Sequence, residues 1–149
     1  MKMYQDAADS FSLEPNNNSN TNACLLKVVD IGLFVAAPDF GEMIKILETV
    51  ADKYMQSKLT APSAKELYFK AILLFLANDD AIGADQAMKK YLNNDPTFLQ
   101  TRQQKFAQAI ITSVKEQNLE LFSTEWYYLI DLVTNSTRSF LSTSGRQLF

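Results

Sequence analysis

Lys27, Lys65 and Arg102 follow one another at intervals of 38 and then 37 residues. Cations repeated at near-constant spacing would line one face of a repeating structure and form a positive stripe on a molecule that is acidic overall. Three surface cations can also coincide by accident, and spacing alone does not decide between the two. Bond-making chemistry has less to work with. The chain contains no histidine, so it lacks the commonest general base, triad partner and metal ligand. Asp79 and Asp80 could pair as acid and base. Their place at the start of a helical stretch instead suits capping, where a carboxylate accepts the free backbone N–H groups. Cys24 adjoins Leu25 and Leu26 with no imidazole to activate it, which predicts a buried structural thiol. No enzymatic role, metal or cofactor is expected.

Composition narrows the partner classes. A chain of 149 residues with 47% apolar residues has enough material for one domain with its own core. The formal net charge of -3 argues against nucleic acid, because phosphate binding needs a surplus of clustered Lys and Arg. The longest run of apolar residues, 71–77, has seven members, whereas a membrane-spanning helix needs roughly 20. The polar N-terminus carries no signal-peptide pattern, and a lone cysteine cannot close an internal disulfide. A cytoplasmic setting is expected. Asn17-Asn18-Ser19 and Asn135-Ser136-Thr137 fit the glycosylation pattern, and in that setting both are chance matches.

The elements that must position the basic residues are helical. Four glycines and four prolines punctuate the whole chain, and good helix formers fill the intervals. A short first helix over 3–13 is cut off by Pro15, and the Asn-rich stretch 15–21 reads as a loop. A second helix is expected over 22–37, ended by Pro38, with Asp39 capping a third. That third helix carries Phe40, Ile44, Leu47, Val50, Ala51 and Tyr54 at helical spacing. Ser63 with Glu66 forms a capping-box pattern ahead of a fourth helix, apolar nearly all round over 67–77 and therefore packed between neighbours. Asn78-Asp79-Asp80 turns the chain into a fifth helix ending near Asn94. Asp95-Pro96 opens one helix marked by Phe98, Phe106, Ile110 and Val114. After the turn Glu116-Gln117-Asn118, residues Leu119 to Val133 predict another, with Trp126 on its apolar face.

The turns near Asp39, Asp79 and Asn118 recur at 40 and 39 residues. Such a period predicts an all-α fold of tetratricopeptide-like stacked hairpins, an α-α superhelix ending in a small helical bundle. Residues 1–149 form one all-helical domain in this reading. Lys27, Lys65 and Arg102 then fall in the first turns of the leading helices.

Several segments resemble the soluble NSF attachment protein (alpha-SNAP) family, in its C-terminal half. They are Cys24-Leu25-Leu26-Lys27-Val28, the stretch from Ser63-Ala64-Lys65-Glu66 to Ala71, Asp95-Pro96-Thr97-Phe98 and Glu116-Gln117-Asn118. Their order and separations are similar to the family's, and Tyr4 to Phe11 resembles its Tyr-x-x-Ala-Ala-Asp-x-Tyr helix. The resemblance implies an adaptor, peripheral on membranes, that lays a concave face on the four-helix SNARE bundle of syntaxin-like and related SNAREs. It further implies recruitment of the NSF-type AAA+ ATPase. Family members grip the bundle with basic side chains, which correspond to Lys27, Lys65 and Arg102. Three departures accompany the likeness. Ala23 stands where the family has a basic residue. The tail 134–149 diverges, so the family's ATPase-stimulating end differs. The N-terminal hairpins with their apolar loop are absent. A generic helical-repeat scaffold for another peptide is the alternative.

Overall fold

The structure, a computed structural model, describes residues 2–13, 18–118 and 120. Six α-helices and one 3-10 helix make up these residues: α1 (Lys2–Ser12), α2 (Asn18–Gly32), α3 (Phe40–Met55), α4 (Ala61–Ala77), α5 (Ala81–Asn94), the 3-10 helix (Pro96–Gln100) and α6 (Arg102–Lys115). The expected helix beyond Leu119, Trp126 within it, the terminal bundle and the tail 134–149 lie outside the described residues. Consecutive helices pack on one another through short connections, giving an all-α stack of helix pairs.

Capping explains several boundaries. Asp39 accepts from the Glu42 amide at 3.0 Å and Asp80 from the Gly83 amide at 2.7 Å, each satisfying a free donor at a helix start. A Cβ at Gly83 would collide with the Asp80 carboxylate and push that capping side chain aside. Asp79 itself turns the chain with φ of 58°, and Gln117 does the same after α6 with φ of 51°.

Four boundaries correct the sequence reading. Helix α2 begins at Asn18, inside the stretch expected to be loop, and Thr21 and Asn22 are buried. Packing against α1 outweighs the weak propensity of the asparagines. The same helix stops at Gly32, where glycine costs the helix backbone entropy, and residues 33–37 lie exposed. Helix α4 begins at Ala61 with Pro62 inside its first turn, so no Ser63–Glu66 box forms. Glu66 instead pairs with Lys70 at 3.6 Å. Finally, Phe98 sits in the 3-10 helix, separated from α6 by Thr101, whose hydroxyl accepts from the Gln104 amide at 3.1 Å. Val114 is exposed rather than part of an apolar face.

The core runs through α3, α4, α5 and α6, and α4 is its centre, contacting all three of the others. Ala64, Tyr68, Ala71 and Ile72 of α4 have no exposed surface. One end of the stack is marked by the contacts of Tyr68, which lies at the middle of α4. Its hydroxyl donates to Asp52 near the end of α3, and its ring stacks on Tyr91 near the end of α5 and meets Phe98 edge-on. The connections 56–60 and 95–101 therefore share that end. The opposite end holds the connections 33–39 and 78–80, and there Asp85 of α5 meets Lys115 at the end of α6.

Asp85 ties two helices. It accepts from Lys115 and from Lys89, each at 2.9 Å, and its side chain is only 18% exposed. The Lys115 hydrogen bond, then that of Lys89, holds its pKa below the ordinary carboxylate value. A depressed folded pKa stabilises the fold above the unfolded value, and that stability is lost as pH falls through the folded one. The melting temperature of Asp85→Asn should therefore lie below wild type at neutral pH, with the gap closing below the ordinary carboxylate range. A gap that persists unchanged in acid would contradict the linkage.

Candidate protein-binding face

A buried aromatic frame joins α3, α4 and α5. Tyr68 and Tyr91 stack with centroids 4.3 Å apart, and both rings are fully buried. Their hydroxyls stay satisfied: Tyr68 donates to Asp52 at 3.1 Å and Tyr91 to Glu48 at 2.7 Å. Burial pushes the Tyr68 hydroxyl up to about 12 and raises that of Tyr91 further, so both remain neutral donors. Lys90 reaches the same Glu48 oxygen at 3.1 Å and closes the network between α3 and α5.

Lys65 and Arg102 are placed by a second aromatic pair. Phe69 of α4 and Phe106 of α6 meet edge-on with centroids 6.1 Å apart. Each phenylalanine lies four residues after one of the two cations, so Lys65 and Arg102 precede the rings by one helical turn on the same faces. The 37-residue offset between the cations is thus also the offset of two side chains in contact. Neither cation has an ion-pair partner among the described residues. Lys65 is half-buried and Arg102 is exposed.

The expectation of first-turn positions is correct only for Arg102, the first residue of α6. Lys65 is the fifth residue of α4, and Lys27 lies in the middle of α2, because both helices begin earlier than the sequence suggested. Lys27 is exposed and pairs with Asp30 at 3.8 Å. It borders an apolar cavity of about 510 Å³ between α2 and α4, lined by Leu26, Val29, Leu33, Leu47, Leu73 and Leu74. Lys70 stands on the same rim. Sequence reasoning missed Lys70, since it lies 43 residues from Lys27 and off the repeat spacing. Its position four residues after Glu66 was the available signal. Cys24 is free and half-buried, not fully buried as expected.

Among the described residues no cluster of three or more His, Cys, Asp or Glu could hold a metal ion, and no helix is long and apolar enough to cross a membrane. The described residues thus form an all-α stack of helix pairs in which Lys65 and Arg102 have no ion-pair partner among the described residues. More specifically, the chain belongs to the soluble NSF attachment protein (SNAP) family, a family of non-catalytic adaptors, whose model matches residues 1–128. It is 35% identical over 123 residues to the alpha-soluble NSF attachment protein of Dictyostelium discoideum, covering 82% of this chain and 41% of that protein. The human alpha-soluble NSF attachment protein is 32% identical over 120 residues, covering 80% and 39%. The vesicular-fusion protein SEC17 of Coprinopsis cinerea is 33% identical over 107 residues, covering 72% and 36%. The chain thus spans about two fifths of the length of these relatives. No solved structure matches it.

Proposed function

We propose that this chain is an adaptor in SNARE-complex disassembly. Its helix pairs continue as a tetratricopeptide-like superhelix whose concave face lies on the SNARE four-helix bundle. The bound adaptor recruits an NSF-type AAA+ ATPase in the cytoplasm, at the membrane periphery. The observation that supports this reading most is the edge-on contact of Phe69 with Phe106 in a chain of this family, each ring lying four residues after Lys65 or Arg102, cations that have no ion-pair partner among the described residues. Lys27 extends the grip from α2, and Lys70 stands beside it across the cavity. Ala23, in place of the family's basic residue, lines that same cavity, so the α2 side of the grip is apolar where its relatives add charge.

Capture of assembled SNARE bundle on the immobilised chain tests the reading. The bundle should be retained at low salt and released as salt rises, because screening shortens from about 10 Å at 0.1 M to about 3 Å at 1 M. The ATPase should be retained only when the bundle is present. Retention of an unstructured peptide in preference to the assembled bundle would instead favour the generic scaffold.

A further inference from the structure

We propose that the end of the stack carrying the α3–α4 and α5–α6 connections lies on an anionic lipid surface. Leu59 in the first of these connections is 88% exposed and Leu99 in the second is 56% exposed. Leu13, at the end of α1, is 84% exposed and falls on the same side of the alternating stack. A single exposed leucine needs no explanation. Here successive connections at one end each project one.

Charge separates the two ends. Lys53 closes α3, Lys58 adjoins Leu59, and Arg102 and Lys105 open α6 just beyond Leu99. None of the four has an ion-pair partner among the described residues. Of the carboxylates at this end, Asp95 is buried and bonded to Thr97, Asp52 accepts from Tyr68, and Asp9 near the end of α1 is exposed and accepts from Gln5. The opposite end, by contrast, carries Asp30, Asp39, Glu42, Asp79, Asp80 and Glu116 against Lys2, Lys115 and Lys27, which pairs with Asp30. It also holds the exposed Leu33, Phe34 and Val35, but their acidic neighbours repel an anionic bilayer. Apolar tips flanked by free cations are the combination that inserts at an anionic headgroup layer, the leucines entering the acyl boundary while the lysines meet phosphates. An acidic protein would use the cations and leave the leucines without a role.

The test uses the full chain with vesicles and no SNARE protein, so its outcome is independent of bundle binding. Sedimentation should occur with phosphatidylcholine vesicles containing phosphatidylserine and not with phosphatidylcholine alone. The double variant Leu59→Ser/Leu99→Ser should weaken vesicle binding at least about tenfold, with unchanged melting because both side chains already face solvent. Lys58→Glu/Lys105→Glu should weaken it by at least about fivefold per residue. Phe34→Ser should bind as wild type does. The proposal is overturned by equal binding to both vesicle types, by leucine variants that bind normally, or by an equal loss in Phe34→Ser. Capture by soluble polyglutamate that depends on the lysines and ignores the leucines, without vesicle binding, would assign this end to an acidic protein instead.

Discussion

Replacing Phe98 with alanine should destabilise the fold by about 3–5 kcal/mol, the largest stability change we expect from one substitution. The ring is fully buried in the 3-10 helix between α5 and α6, and it packs edge-on against Tyr68 with centroids 6.3 Å apart. Truncation leaves a cavity beside the stacked tyrosines, whose hydroxyls are already committed to Asp52 and Glu48. Those hydrogen bonds hold the frame in place and limit its collapse into the void. Chemical denaturation monitored by circular dichroism should show a lower midpoint. The neighbouring Leu99→Ala, altering a side chain that is mostly in solvent, should shift it little. Equal effects at the two positions would mean that Phe98 does not join α4, α5 and α6 as described.

Reversing Lys65 and Arg102 together to glutamate should weaken binding to an acidic helical bundle by about two orders of magnitude or more, since like charges brought together at an interface cost several kcal/mol. The fold should survive. Neither side chain has an ion pair to lose among the described residues, Arg102 is exposed and Lys65 half-buried, and charges at the surface contribute about 1 kcal/mol or less. Titration calorimetry against the assembled bundle, with melting curves as the control, separates recognition from stability. Lys45→Glu and Lys53→Glu, both on α3 and without ion-pair partners among the described residues, are the matched charge controls. Lys89 is not a suitable control, because it pairs with Asp85 at 2.9 Å and its reversal would set two carboxylates one turn apart within α5. If the α3 reversals weaken binding as much as the stripe reversals, total charge rather than this face drives the attraction.

Periodicity carried much of the fold. The spacing of Phe40, Ile44, Leu47 and Val50 identified α3, and the unbroken apolar stretch of α4 identified the central helix, because burial on several sides leaves a direct compositional trace. Asp39 and Asp80 were legible as caps, since capping depends on residues three positions away. The α2 boundaries were not. An asparagine-rich start is poorly helical by itself, and only contact with α1 makes it helix.

The candidate site divides in the same way. The sequence alone determined which cations recur, the 37-residue interval between Lys65 and Arg102, and the absence of histidine from the whole chain. Tertiary structure decided which of those cations share a register, because that depends on how one helix seats against another. Phe69 meeting Phe106 sets the register of α4 on α6, whereas an apolar cavity lies between α2 and α4, so Lys27 lines up with Lys70 across a gap. It also decided that Lys89 is committed to Asp85 while Lys58 and Lys105 are left unpaired at the leucine-bearing end. A local pattern encodes the face a residue occupies on its own helix, but whether a cation finds a partner depends on groups brought near it by folding.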